Sequence, residues 1–334
     1  METESKAMGE RTPGPDRAKQ RLLFTGGGGA GSEALARLLA PRYEVFFADA
    51  DTAAKPYPIA ASQWLQIPLA TAPEFATEIA ALCCGLNIDL FIPTVDEELL
   101  PIARLTRPLG FEVLLPPEHF VMRHLDKLAS NLFLRQAGLP APQTVAADQG
   151  RLGFPCIVKS RAGRGSRNVA TVFSEAELQA QITLARQAAK DFVVQELVTG
   201  QEFTVMVAAD KAGELRAIVP VLVERKRGIT LRAATLHDKG VIEACRAIHA
   251  ADPVPGCYNV QLIKAADGLV KPFEINPRIS TTACLGLAAG VDFVGIFLGM
   301  PGTTDHLRDG LASFKDHLGL KRSWHNEIVE PAGA

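Results

Sequence analysis

A chain of 334 residues, 47% of them hydrophobic and 22% charged, holds enough apolar side chain for more than one buried core. Its 35 basic and 37 acidic residues nearly cancel, which excludes a global field for a polyanion such as nucleic acid and leaves any basic site local. Cys83, Cys84, Cys156, Cys245, Cys257 and Cys284 show no CxxC spacing and the histidines form no HExxH pair, so neither a zinc site nor a disulfide framework is expected.

Residues 1–20 are polar, carry Pro13, Gly14 and Pro15 and lack an apolar h-region. They read as a disordered leader on a cytoplasmic protein, not as a secretory signal. A strand at 21–24, a glycine turn at 26–31, a helix at 32–40 and a strand at 44–48 make a βαβ opening. A helix at 73–84, a strand at 90–93, a helix at 97–109 and a strand at 112–115 complete an α/β lobe over 21–118. Helical periodicity then runs over 119–137, until Gly138-Leu139-Pro140-Ala141-Pro142 stops it. A small lid is expected over about 143–198: strands at 154–160 and 168–173 flank a turn rich in Gly and Arg, a helix at 174–189 opens on a Ser174 to Glu177 capping box, and a strand covers 192–197. Strands at 203–209, 215–223, 259–265 and 271–275 follow, with a long loop around 225–230 and a helix at 239–249. The apolar stretch 283–300 contains Asp292 and four glycines, so it reads as a buried helix and not a membrane span. Residues 301–334 form a tail with no usable motif.

Three groups of residues carry chemistry. The first is Gly26-Gly27-Gly28-Gly29-Ala30-Gly31, between a strand and a helix, with Asp49 closing the next strand. Glycines there let a backbone approach an anion, the helix N-terminus stabilises it, and the later carboxylate can accept from a ribose, as in a dinucleotide turn. The same turn occurs wherever an α/β lobe presents a small anionic substrate. The second group starts at Lys159, the end of an apolar strand, and continues through Arg161-Ala162-Gly163-Arg164-Gly165-Ser166-Arg167. Small residues, successive backbone N–H groups and nearby cations suit a triphosphate; a solvated basic hairpin is the plainer alternative. Downstream, Gln195-Glu196-Leu197-Val198 ends a strand in a hinge whose backbone can meet an adenine edge, and Glu202 can accept from ribose hydroxyls.

The third group is Gln261 on one strand and Glu274-Ile275-Asn276-Pro277-Arg278 on the next. Glu274 and Asn276 lie two apart, so an extended backbone turns both to one face, and Gln261 can meet them from a paired strand. Three oxygen donors of that kind suit Mg²⁺ or Mn²⁺ bridged to ATP phosphates. Arg278, two residues further, would reach the transferred phosphate or a substrate oxyanion. Thr94, Asp96 and Glu97 at the end of the third strand, the glycine turn, and Arg225, Lys226 and Arg227 are the candidate substrate contacts.

Taken in order, Asp126-Lys127, the 138–142 break, Lys159, the Arg164-Gly165-Ser166 loop, the 195–198 hinge with Glu202, Asn259-Val260-Gln261 and the EINPR string resemble the ATP-grasp superfamily. In detail they are similar to the ATP-binding halves of the carbamoyl phosphate synthase large chain and to short relatives such as the pyrrolysine-pathway ligase. The resemblance covers about 20–300 and implies an α/β ATP-grasp fold: a Rossmann-like pre-ATP-grasp lobe over 21–118, then an ATP-grasp domain over 119–300 with a small α+β lid and a C-terminal α+β lobe. It implies Lys127 and Lys159 as the nucleotide lysines, Gly163, Gly165 and Ser166 in a closing loop, Glu196, Leu197 and Val198 as the adenine hinge and Glu202 as the ribose ligand. Gln261, Glu274 and Asn276 become the metal ligands, and Arg278, with Lys159 and Arg167, the catalytic cations. Many members carry a carboxylate where Gln261 stands, so this metal site has one charge fewer.

The implied reaction is ATP-dependent joining of a small-molecule carboxylate to an amine, amino acids among them, through an acyl phosphate, with ADP and phosphate released. No nucleic acid or membrane partner is expected, and a homodimer is compatible with the resemblance. Two rival readings are an NAD-dependent oxidoreductase using the Gly26 turn and a non-catalytic ATP-binding module.

Overall fold

The computed structural model describes residues 19–105, 109–150, 152–163, 168–303 and 307–323. In the first lobe β1 (Gln20–Phe24), α1 (Ser32–Leu39), β2 (Tyr43–Asp49), β3 (Trp64–Gln66), α2 (Phe75–Gly85), β4 (Leu90–Ile92), α3 (Asp96–Ala103) and β5 (Glu112–Val113) follow one another. The strands form one parallel sheet in the order β3-β2-β1-β4-β5. Successive residues of β1 feed opposite cores, Leu22 and Phe24 one and Leu23 the other, as expected of a sheet covered on both faces. The strand order reverses between β1 and β4, where open parallel sheets form their crevice beyond the strand ends. The glycine turn and Thr94 therefore sit side by side, and the Thr94 hydroxyl donates to the Thr25 carbonyl at 2.6 Å.

The single helix expected over 119–137 is two, α4 (Glu118–Leu125) and α5 (Lys127–Gln136). Asp126 breaks it: its backbone is extended, and its carboxylate caps α5 by accepting from the N–H groups of Leu128 and Ala129 at 2.9 and 3.3 Å. The lid comprises β6 (Thr144–Ala146), β7 (Cys156–Ser160), β8 (Ala170–Val172), α6 (Glu175–Leu184) and β9 (Phe192–Glu196). Its antiparallel sheet runs β6-β9-β7-β8. Ser174 caps α6 by accepting from Glu177 N–H at 3.3 Å, whereas the Glu177 carboxylate accepts one residue earlier than a capping box requires, from Phe173 N–H at 2.8 Å.

The body is β10 (Gln201–Ala209), β11 (Leu215–Arg227), β12 (Ile229–Thr235), α7 (Lys239–Ala251), β13 (Gly256–Lys264), β14 (Val270–Asn276), α8 (Ala283–Ala288), α9 (Phe293–Leu298), β15 (Leu307–Arg308), β16 (Leu311–Ala312) and β17 (Gly319–Lys321). Its six-stranded sheet runs β14-β13-β10-β11-β12-β17. The loop expected at 225–230 is a hairpin, because β11 continues through the charged run to Arg227 and Gly228, at φ +69°, turns it into β12. The helix expected over 283–300 is split, as α8 ends before Gly290 (φ +102°) and α9 begins on an Asp292 cap. Of the stretch past 301, the described residues 307–323 belong to the body: β17 pairs with β12, and Arg322 donates to the carbonyls of Ala30 and Thr281, joining the first lobe to the body.

Candidate active site

A cleft of about 1090 Å³ separates the first lobe from the lid and body, with walls from all three. Its floor is a row of paired strand residues. Thr204 on β10 is the register partner of Gln261 on β13, and Gln261 is the partner of Glu274 on β14. Asn276 follows Glu274 by two residues, opposite Asn259. Gln261, Glu274 and Asn276 all line the cleft, so the structure brings the proposed metal donors together. Asn259, fully buried, braces this row by donating to the Thr204 hydroxyl at 2.8 Å and the Val205 carbonyl at 3.0 Å. Among the described residues no group of three His, Cys, Asp or Glu side chains could hold a metal ion. The set here has one carboxylate and two amide oxygens, which fits a hard cation that draws its other ligands from phosphates and water.

Lys159 projects from β7 into the cleft although only 4% exposed. Its ammonium donates to Gln195 Oε1 at 2.9 Å and to the Phe273 carbonyl at 3.3 Å, and Gln195 is itself fixed by donating to the Thr144 hydroxyl at 2.8 Å. Burial pulls the Lys159 pKa down to about 8, against the opposing pull of the Glu274 carboxylate. Gln195, named above only as part of a hinge, is thus the side chain that aims this lysine. The signal was its alternation with Val194: both are buried, and a buried amide on a strand needs partners.

Lys127 opens α5 and donates to the Gly163 carbonyl at 2.7 Å. Beside it Arg161 holds Asp126 through two nitrogens, Nε to Oδ1 at 2.9 Å and Nη2 to Oδ2 at 2.6 Å, which ties the start of the lid turn to the α5 N-terminus. Gly163 is at φ +102° with nothing near the position of a Cβ. Gly165, Ser166 and Arg167 lie outside the described residues.

The Glu196 carboxylate is engaged by Lys271 at 2.5 Å and by Gln143 N–H at 3.1 Å, and the Lys271 hydrogen bond holds its pKa below the usual carboxylate range. What the 196–198 segment can offer an adenine is therefore backbone, and Leu197 and Val198 line the cleft there. Lys226, expected as a substrate contact, stands at the same end of the cleft: its ammonium is 2.6 Å from Glu202 Oε1 and 3.5 Å from Gln261 Oε1.

On the first-lobe side the expectations change. Three N–H groups of the glycine turn are spent within the lobe: Gly27 donates to the Ala48 carbonyl at 3.0 Å, Gly28 to Asp49 Oδ2 at 3.0 Å and Gly29 to the Gly26 carbonyl at 2.9 Å. A Cβ on Gly27 would lie 2.7 Å from the Trp64 ring and one on Gly28 2.6 Å from Ala54. Gly27 and Gly28 are closely packed and Asp49 takes the Gly28 N–H, while Gly26, Gly28 and Gly29 line the cleft. Thr94 and Glu97 line the cleft, whereas Asp96, Arg225 and Arg227 are not among its described lining residues. Asp96 instead accepts from Arg278 Nε at 2.5 Å. Glu98 had no assigned role; it is 4% exposed, accepts from the Thr25 hydroxyl at 2.5 Å and from Val95 N–H at 3.3 Å, and burial pushes its pKa up to about 7.

A parallel first lobe, an antiparallel lid and a long-stranded body around one cleft lined by lysines and amide oxygens have the architecture of an ATP-grasp fold, and two family models match parts of the chain. The family model described as "ATP-grasp in the biosynthetic pathway with Ter operon" matches residues 188–311, and the "D-ala D-ala ligase C-terminus" model matches 128–229. The D-alanine–D-alanine ligase of Alcanivorax borkumensis is 33% identical over 90 residues, 26% of this chain and 29% of that protein. The D-alanine–D-alanine ligase B of Xanthomonas campestris pv. campestris is 32% identical over 93 residues, 28% of this chain and again 29% of the relative. The match thus spans only that fraction of these relatives' length.

Solved structures agree on the fold. Carboxyaminoimidazole ribonucleotide synthase from Aspergillus clavatus, complexed with ATP, superposes with a TM-score of 0.69 at 15% identity, covering 87% of this chain and 80% of that one. The L-amino acid ligase from Bacillus licheniformis gives a TM-score of 0.64 at 17% identity over 84% and 74% of the two chains. No described helix is long and apolar enough to cross a membrane.

Proposed function

We propose that the chain is an ATP-dependent carboxylate–amine ligase, using Mg²⁺ or Mn²⁺ and releasing ADP and phosphate. One observation carries the reading: Gln261 and Glu274 are register partners, Asn276 shares their strand face, and the buried ammonium of Lys159 enters the same cleft. The family models add support, because the ligase model spans Lys159 and Glu202 and the Ter-operon model spans Gln261, Glu274 and Arg278. On this reading 21–118 is the pre-ATP-grasp lobe and 119–300 the ATP-grasp domain.

The adenine edge meets the Glu196 and Val198 backbone and the ribose meets Glu202, which exchanges Lys226 for hydroxyl donors. Lys127 and Lys159 take the phosphates beside Gly163, with Gly165, Ser166 and Arg167 assigned to the same phosphates from the sequence alone. Gln261, Glu274 and Asn276 would hold the divalent cation, which supplies charge compensation among the phosphate oxygens when bound. A substrate carboxylate attacks the γ-phosphorus in line; the bond to the bridging oxygen breaks and ADP leaves with the electron pair. The amine then adds to the acyl carbon, phosphate departs, and the nitrogen loses a proton to give the amide. Arg278 and Lys159 meet the charge on the transferred group, so positioning and electrostatics carry most of the acceleration. The protein supplies no covalent nucleophile.

The amine and acid belong to the small-molecule class, amino acids included, as the names of the ligase relatives suggest. The test is a phosphate-release screen of the full chain with ATP, Mg²⁺ and pairwise acid and amine pools, with mass spectrometry of responding wells. An amide product and an equal amount of ADP are expected, and both are lost in Glu274→Ala. Binding of Mg-ATP with no ADP formed in any pool would instead make the chain a non-catalytic nucleotide module.

A further inference from the structure

We propose that Asp96 is a positioning residue: from the first lobe, it holds the Arg278 guanidinium at the angle from which it serves the transferred group. The role of Arg278 rests on the ligase reading above, whereas the pairing with Asp96 stands on geometry alone.

Arg278 leaves the end of β14 through Pro277, and its own N–H donates back to the Asn276 carbonyl at 2.8 Å. The backbone is therefore fixed within two residues of a proposed metal donor. The side chain is long, and a free arginine spreads over many rotamers. Here Nε donates to Asp96 Oδ1 at 2.5 Å and Nη1 to the Ile279 carbonyl at 3.1 Å. The two side chains are only 14% and 10% exposed, so water screens the pair little. Two nitrogens are thereby held, and no described residue accepts a hydrogen bond from Nη2, while Arg278 itself lines the cleft. The result is a fork with its rear tines clamped.

Asp96 is in turn held rigidly. It is the first residue of α3, where a carboxylate complements the helix dipole. The segment before it is tied down twice: Thr94 bonds to Thr25 through its hydroxyl at 2.6 Å and its N–H at 3.2 Å, and Glu98 reaches back to Val95 N–H at 3.3 Å. The ion pair joins residues 182 apart in the chain. It connects the lobe that faces the substrate to the strand that carries Glu274 and Asn276. Asp96 looked like a substrate contact in the sequence; its place is behind the arginine.

The experiment uses Asp96→Asn, which keeps shape and one acceptor oxygen but removes the charge, and Asp96→Glu, which keeps the charge. Mg-ADP binding, and binding of ADP with aluminium fluoride as a mimic of the transferred phosphoryl group, are measured by calorimetry on the full chain. Turnover is measured with the substrate pair found in the screen. Mg-ADP affinity should stay within about twofold, whereas Asp96→Asn should weaken the fluoride complex about tenfold or more, the loss expected for a displaced charged donor. The kcat should fall about as much with the KM for ATP nearly constant, the mark of an interaction made in the transition state. Arg278→Gln should do the same, and the double variant should be no worse, because a positioning residue has nothing left to position. Asp96→Glu should recover part of the loss.

Parental kcat and fluoride affinity in Asp96→Asn, with both reduced in Arg278→Gln, would overturn the proposal. So would lowered thermal stability with parental fluoride affinity, which assigns Asp96 to lobe packing alone. Failure of the parent chain to bind Mg-ADP would sink the ligase reading and this role together, and needs no variant to detect.

Discussion

Two glycine-rich segments, at 26–31 and 163–166, make the same promise in the sequence, and the structure separates Gly27 from Gly163 by what a side chain would meet there. At Gly27 an added Cβ would run into Trp64 at 2.7 Å and Phe47 at 3.0 Å, and the N–H groups of Gly27, Gly28 and Gly29 already have acceptors in the lobe. At Gly163 nothing lies within 4 Å, the backbone is at φ +102°, and the carbonyl accepts from Lys127. Gly27 is glycine because space is short; Gly163 is glycine because its backbone adopts a conformation that side chains disfavour. A glycine is thus no evidence of an anion site where packing already accounts for the missing side chain.

The largest expected effect tests the second turn's partner. Lys159→Met should weaken Mg-ADP about 100-fold by calorimetry, the loss of a charged donor in a buried site. The ammonium is the binding form, so in the parent chain affinity should fall as pH rises through about 8, the pKa to which burial pulls it. Stability moves the other way. A lysine whose folded pKa lies below its unfolded value loses a proton more easily when folded, so it costs stability below about 8 and the cost fades toward the unfolded pKa of 10.5. That difference corresponds to roughly 3 kcal/mol at pH 7, and Lys159→Met should therefore raise the melting temperature of the ligand-free chain. A lower melting temperature would mean that Gln195 and the Phe273 carbonyl more than repay the burial.

The floor of the first turn gives the next effect. Glu98, with its pKa at about 7, is a buried acid whose folded pKa exceeds the unfolded 4.5. Its charged form is penalised, so stability is full below pH 4.5 and is lost as pH rises through 7. Glu98→Gln keeps an oxygen for the Thr25 hydroxyl and Val95 N–H. It should be more stable than the parent by about 3 kcal/mol at pH 8 and indistinguishable at pH 4, by denaturant midpoints. Equal midpoints at pH 8 would show that the ionised carboxylate is already compensated by its donors.

These residues also mark what the sequence could reveal. The EINPR strand was legible because extended backbone repeats every two residues, so Glu274 and Asn276 had to share a face, and β13 supplied Gln261 opposite. Lys159 was legible as a cation ending an apolar strand. Glu98 was not, because a glutamate in the first turn of a helix looks the same whether it faces solvent or is sealed beneath Thr25. The Asp96–Arg278 pair was beyond reach for a different reason: nothing local records which of many carboxylates a distant arginine will meet. The break at Asp126 and the strands β12 and β17 were misjudged where periodicity alone was followed, since a cap can stop a helix in mid-pattern and an edge strand can be polar.

Gly27→Ala sharpens the contrast from the packing side. Overfilling the gap against Trp64 and Phe47 should destabilise the chain by about 2 kcal/mol while Mg-ADP affinity in the surviving folded protein stays parental. A large loss of affinity at unchanged stability would return the first turn to the list of anion sites.

Gly163→Ala should give the smallest effect and the opposite split. Its φ of +102° is costly for alanine, of order 1–3 kcal/mol locally, but the site is open and the strain can be relieved by a shift of the turn. Global stability should then change by less than about 0.5 kcal/mol, as at other surface positions without packing partners. What the shift disturbs is the carbonyl that holds Lys127 at 2.7 Å. Mg-ADP affinity should fall about three- to tenfold, equivalent to part of one hydrogen bond. Were Gly163→Ala instead to unfold the chain while Gly27→Ala weakened the nucleotide, the assignment of the two turns would be reversed, and the phosphates would belong at the first lobe.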